Sequence, residues 1–417
     1  MEKSGKFRLT SLERNWILYD VGNSAFVLMV ATLIPIFFNA LAEAGGLSSV
    51  EYLAYWGYAS SAVTVVTAVL SPILGTVADT KGFKKPIFIL CVFVGIVGCC
   101  AMGAASAWLP FLVIFVIAKV GFSGSLVFYD SMLSDVTTPE RMDEVSSRGY
   151  AWGYIGSCVP FVVCLGLVLG AGSIGISQMT ALNLALLLTA AWWLLTTLPL
   201  LKSYKQLYYV EVEKHAVRQS FARIGHTLRH LPEDKQVFWF LLAFFCYIDG
   251  VYTIIDMATA YGTALGLDTT GLLLALLVTQ IVAFPSALIF GRLSNKYPSA
   301  KLIPVCIAAY AGIAVFAFFL TRQWQFWVLA VIVGMFQGGV QALSRSHFAK
   351  IIPPEKSGEY FGLFDICGKG ASFLGTMIVS VGSQLTGSAN VGVGSLIVLF
   401  IVGFVLFRVS CRQGETA

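Results

Sequence analysis

Ionisable and amide side chains recur inside apolar runs of this chain, at spacings that gather them on shared helix faces. Asp20, Asn23 and Ser24 stand i, i+3 and i+4 apart, and Asp249, Tyr252 and Asp256 stand i, i+3 and i+7 apart; each set lines one side of a helix. Lys119, Ser123, Tyr129 and Asp130 form a third group, and Gln337, Gln341 and Arg345 a fourth. Asp365 and Lys369 form an i,i+4 pair with the acid first, the favourable order. Such groups can hydrogen-bond a polar solute, match its charges or carry a proton. An unpaired charge in hydrocarbon costs ~3 kcal/mol or more, so those that persist face a protein interior or a wet cavity. Asp249 is the deepest, about 20 Å into its run at ~1.5 Å per residue. Three readings stay open for it: proton coupling, solute contact, or a structural bond to Lys119 or a tyrosine.

Other chemistries lack their residues. The nine cysteines sit mostly in apolar runs without a CxxC, as small packing residues. His226 and His230 are i,i+4 but have no third ligand nearby, and no acid or serine motif frames His347. Gly362 and Gly368-Lys369 have the wrong spacing for a phosphate loop. No metal, cofactor or catalytic activity is expected.

The elements that must hold these groups are membrane helices. Of 417 residues 57% are hydrophobic and 12% charged, against ~25% charged in soluble domains, and the mean hydropathy is +0.81. The apolar residues come in runs of the ~20 that a ~30 Å hydrocarbon layer requires, not in the ~10-residue alternation of a membrane barrel. Spans are predicted at 15–42, 52–78, 86–106, 109–134, 146–171, 178–201, 236–264, 269–291, 300–321, 324–347, 358–385 and 389–408. The polar N-terminus argues against a secretory signal. The longest connection, 202–235, divides the chain into six-span halves, 1–201 and 236–417. In it Val217, Phe221, Ile224, Leu228 and Leu231 recur at helical spacing among Lys and Arg, which predicts an amphipathic helix on the membrane surface. Alternating the spans places 24 of 27 Lys and Arg on one face, against Arg322 alone on the other. That asymmetry puts both termini in the cytoplasm of a cell-membrane protein.

The halves repeat. Gly75, Asp79 and Lys85 after span two align at one offset with Gly291, Asn295 and Lys301 after span eight, and Pro139-Glu140 aligns with Pro354-Glu355 within a residue. A parallel repeat of six-helix halves is the architecture of major facilitator carriers. The loop also resembles that superfamily's signature, at Gly75, Asp79, Gly82, Lys84 and Lys85. Gly75 permits close helix approach and Gly82 a left-handed turn. Asp79 is expected to face the positive N-terminal end of span eleven and to latch that side shut. Longer segments resemble the Atg22-like, or vacuole effluxer, family: Tyr19-Asp20-Val-Gly-Asn23-Ser24-Ala25-Phe26, Gln341-Ala-Leu-Ser-Arg345-Ser, Ile352-Pro353-Pro354-Glu355 and Glu359-Tyr-Phe361-Gly362-Leu-Phe-Asp365. One departure stands at span four, where that family tends to carry Tyr-Asn before Leu-Pro and this chain has Tyr129-Asp130-Ser-Met-Leu133-Ser134.

The resemblance implies an all-α major facilitator fold of twelve transmembrane helices in two pseudo-symmetric six-helix bundles, its cavity lined by spans one, four, seven and ten. It implies a secondary carrier of a small organic solute, with amino acids as one candidate. The several acids set against Lys119, Lys369 and Arg345 favour an amino acid or similar zwitterion or cation, and Asp249 makes protons a candidate second partner. Arg345 with Glu359, and Arg141 with Glu144, are expected to form gates between helices. Pro35, Pro160 and Pro285 are expected to break or bend spans. A monomer in the lipid bilayer, with no nucleic acid, is expected. The alternatives are a carrier of an amphiphilic, lipid-like solute such as a lysophospholipid, and a receptor or intramembrane enzyme on the same scaffold.

Overall fold

A computed structural model describes residues 7–211, 225–227 and 229–416. It is a bundle of long helices: α1 (Ser11–Ala44, interrupted at Thr32), α2 (Ser49–Ala78), α3 (Lys84–Gly103), α4 (Trp108–Ser131), α5 (Met142–Leu169), α6 (Gln178–Ser203), α7 (Lys235–Ala264), α8 (Thr269–Leu293), α9 (Ser299–Phe318), α10 (Gln323–Ile351), α11 (Ser357–Thr386) and α12 (Ile397–Thr416). Eleven of these regions are long and apolar enough to cross a membrane, and α11, which carries Glu359 and Asp365, completes the twelve. The chain is a multi-pass membrane protein.

The helix starts are written locally. Thr10 and Glu13 close a capping box on α1, Ser48 and Glu51 another on α2, and Asp268 caps α8. Of the three prolines expected to break or bend spans, one stands at a break. Pro35 has no N–H for the carbonyl of residue 31, and α1 is interrupted at Thr32. Helices α5 and α8 run through Pro160 and Pro285 without a break.

Within the first half α1 packs on α5 and α6, and α3 on α4; within the second α7 packs on α11 and α12, and α10 on α8 and α9. The halves meet along two equivalent seams, α2 with α11 and α5 with α8. The seams repeat in detail. Gly75 lets α2 lie directly on the backbone of α11, where an added Cβ would overlap the Gly358 carbonyl oxygen. At the equivalent place on α8, a Cβ on Gly291 would meet Ser147 of α5 at 2.9 Å.

The predicted surface helix in the long connection lies mostly outside the described residues, Val217, Phe221, Ile224 and Leu228 among them. The described part before it is docked on the first half. Val210 pairs with Thr80 in an isolated parallel bridge, and the Tyr204 hydroxyl donates to Asp135 at 2.6 Å.

Candidate functional site

Contacts between the halves gather at the end of the bundle that carries the basic loops. On the α2–α11 seam the Asp79 carboxylate accepts from the backbone N–H groups of Gly358 (2.7 Å) and Glu359 (2.8 Å), the orphan donors at the start of α11. Lys84, fully buried, donates to Ser357 at 2.8 Å and lies 3.8 Å from Asp79 and 3.5 Å from Asp135. Asp135 in turn accepts from the backbone of Leu207 and Tyr208, so one buried lysine joins both halves and the docked connection. Gly82 takes the left-handed turn (φ +79°) that the signature predicts, and Lys85 stands half-buried beside it. Burial pushes the Asp79 carboxyl up to about 7, against Lys84 and the two N–H groups, which favour the charged form.

The α5–α8 seam answers with different chemistry. Asn295, the repeat partner of Asp79, donates its amide to Glu144 at 2.8 Å, and Glu144 also pairs with Arg148. Asp143 accepts from Lys350 and from the Ser346 hydroxyl, both at 2.6 Å. The two expected gate pairs are redrawn. Arg141 forks onto Glu13 at 2.7 Å inside the first half, and Glu359 contributes its backbone N–H to Asp79.

Arg345 does not stay at its own helix end. From α10 it crosses into the first half, where its guanidinium donates to Asp130 (2.9 Å) and to the hydroxyl and carbonyl of Ser146 (2.9 and 3.0 Å), with Asp20 at 3.7 Å. Trp16, Tyr129 and Tyr150 flank it at 4.7, 5.4 and 4.3 Å from their ring centres. The offset that aligns Pro139 with Pro354 also takes Asp130 to Arg345, so the pair joins equivalent positions of α4 and α10 across the pseudo-two-fold axis. Tyr129 is a wall and not a free cavity residue: it stacks on Trp16 and donates to Asp20 at 3.1 Å. Asn23 bonds back to the Tyr19 carbonyl in its own helix.

Nearer the middle, the Tyr154 hydroxyl donates to Gln341 at 3.2 Å, with Gln337 buried one turn away, and Ser71 of α2 donates to Asp365 at 2.7 Å. The side chain of Lys369, the expected partner of Asp365, lies outside the described residues. Farther from the basic end, Asp256 is exposed and Tyr252 half-exposed. Lys119 lies over the Phe122 and Phe26 rings at 4.7 and 5.9 Å. Asp249 faces α11: its Oδ1 accepts from Gly375 N–H at 2.9 Å and from the Thr253 hydroxyl, and these are its hydrogen-bond donors among the described residues, in place of the expected Lys119 or a tyrosine. Its Oδ2 is buried without a hydrogen-bond partner among the described residues.

The sequence of residues 11–142 and 134–416 matches the family described as "Vacuole effluxer Atg22 like". The chain belongs to that family. A curated relative, the MFS-type transporter YxiO of Bacillus subtilis (strain 168), is 42% identical over 414 residues, covering 98% of this Atg22-like chain and 97% of the relative. Autophagy-related protein 22 of Coccidioides immitis (strain RS) is 25% identical over 315 residues, 65% of this chain and 51% of its own, so the chain spans about half of that fungal relative. Among solved structures, the human organic anion transporter MFSD10 superposes with a TM-score of 0.71 at 15% identity, covering 95% of this chain and 99% of that one. The major facilitator transporter FucP in its outward conformation gives 0.70 at 16% identity, with 96% and 97% covered. The fold of this Atg22-like protein is the twelve-helix major facilitator fold, and its general role is transport.

Sequence reasoning singled out Asp20, Asp130 and Arg345 separately, and the structure brings them together. It missed Trp16, Tyr150 and Ser146, which have no local signature, and Asp135, whose only signal is an acid just past a span.

Proposed function

We propose that this protein is a secondary carrier that moves a small zwitterionic or cationic organic solute by alternating access. The observation that carries the reading is the asymmetry of contacts along the bundle. Hydrogen bonds and ion pairs join the halves at the basic end, while farther along the bundle Lys119 on α4 and the exposed Asp256 on α7 carry opposite charges on opposite halves. Opposite charges presented from two halves suit a solute that bears both an anionic and a cationic group, and binding would draw the halves together. The basic end then opens as the Asp79 and Arg345 contacts release. The Lys and Arg bias supports a cytoplasmic basic end with both termini inside. Protons are a candidate coupling partner through Asp249, whose carboxyl is buried with one oxygen bonded and the other without a hydrogen-bond partner among the described residues.

Counterflow in proteoliposomes tests the reading. Amino acids and amines are expected to exchange against their labelled forms, with Asp256→Asn weakening the apparent affinity about tenfold, the effect of losing ~1.4 kcal/mol of charge pairing. Absence of exchange for every zwitterion and cation, while a lysophospholipid moves, would favour the amphiphile reading.

A further inference from the structure

We infer that the pocket filled by the Arg345 side chain is an organic-cation subsite of the transport path, which Arg345 occupies as a tethered stand-in while the basic end is shut. The inference rests on the alternating-access reading proposed above.

Arg345 is 2% exposed and belongs to the second half, yet the groups that hold it, Asp20, Asp130, Ser146, Trp16, Tyr129 and Tyr150, all belong to the first. Aromatic faces with carboxylates at their edge are the chemistry that selects guanidinium and alkylammonium groups over anions and neutral solutes. The walls are held without help from Arg345. The Trp16 indole N–H donates to the Tyr129 carbonyl at 2.9 Å, the two rings stack at 4.3 Å, and the Tyr129 hydroxyl donates to Asp20. A site organised before its ligand arrives binds at lower entropic cost. The pocket is not sealed, because the Asp130 side chain keeps 19% of its surface accessible.

Parting of the halves at this end withdraws α10, and with it the guanidinium. The first half then presents two carboxylates beside three aromatic faces, a strongly unfavourable arrangement unless a cation replaces the one withdrawn. A solute cation that takes the vacated place leaves the charge balance unchanged, and return of Arg345 displaces it. Entry and release at the basic end are thus one exchange of cations in one cage. The class of solute this selects is a small organic cation or a zwitterion that presents its cationic head here.

Chemical rescue tests the pocket independently of flux. In the full-length detergent-solubilised protein, Arg345→Ala is expected to lower the thermal midpoint. Millimolar methylguanidinium should raise that midpoint more than it raises the wild type's, while the neutral isostere N-methylurea and sodium chloride should not. Adding Asp130→Asn should abolish the rescue. Equal effects of methylguanidinium and N-methylurea, or none from either, overturn the inference. Should Arg345→Ala fail to fold, Tyr150→Leu keeps Arg345 and removes one wall. Inhibition of counterflow by methylguanidinium from the basic side should then weaken about tenfold, the scale of one desolvated cation–π contact, and an unchanged value overturns the inference. A wild-type protein that exchanges neutral or anionic solutes but no cation also overturns it, and leaves standing only the broader reading of a secondary carrier that works by alternating access. A protein that moves no solute at all strikes the carrier reading itself, and the inference with it.

Discussion

At the scale of single residues the acids of this bundle divide by what satisfies them. Asp79 and Asp135 are held by backbone N–H groups and by Lys84, and Asp130 by Arg345. Asp249 has two donors on one oxygen and none on the other among the described residues. That geometry makes Asp249→Asn an informative variant. The amide oxygen keeps the bonds to Gly375 and Thr253, and the amide nitrogen replaces an oxygen that had no partner. Stability is therefore expected to stay within ~1 kcal/mol of wild type, as for most changes that break no network. Uptake driven by a pH gradient is expected to be lost while solute exchange survives, as measured in proteoliposomes with and without a gradient. Gradient-driven uptake that persists would remove Asp249 from the coupling path.

Among elements, the α2–α11 seam rests on close backbone approach at Gly75, Gly358 and Gly362. A Cβ at Gly75 would overlap the Gly358 carbonyl, and one at Gly358 would lie 2.6 Å from the Gly75 carbonyl and 2.7 Å from Asp79. Backbone, not a flexible side chain, occupies that space, so the helices must separate to admit a methyl group. Gly75→Ala is expected to destabilise by ~1–3 kcal/mol, the usual range for overpacking. It should also expose the start of α11, read as a lower thermal midpoint and faster labelling of a cysteine placed at Ser357. An unchanged labelling rate would mean that the seam tolerates more separation than its geometry allows.

For the molecule as a whole, closing the basic end is a protonation equilibrium as well as a packing one. Asp79 lies outside the membrane-spanning helices, and burial in the closed arrangement pushes its carboxyl up to about 7, from ~3.9 when hydrated. A carboxyl raised on closure takes up a proton on closing. Closure is therefore most favoured below ~4, loses that advantage as pH rises to about 7, and changes little above. Accessibility of a basic-end cysteine should rise between pH 5 and pH 7 at ~0.15 M salt, where screening of distant charges is uniform. Asp79→Ala should be open at both values. A wild-type profile flat across that range would show that another contact sets the equilibrium.

Much of this architecture is local enough to be read from one chain. Apolar run length sets the spans, the Lys and Arg bias sets their alternation, and the offset from Gly75 to Gly291 exposes the repeat, because each depends on residues near in sequence. Asp79 was legible too, since a helix start is a generic partner for a carboxylate. What only the tertiary structure decided is which distant helices share a face. Arg345 lies 199 positions from Ser146 and 215 from Asp130, and nothing in their local spacing indicates that one guanidinium meets both. Helix packing across the pseudo-two-fold axis makes that choice, and it turned an expected gate at a helix end into a cage inside the opposite half.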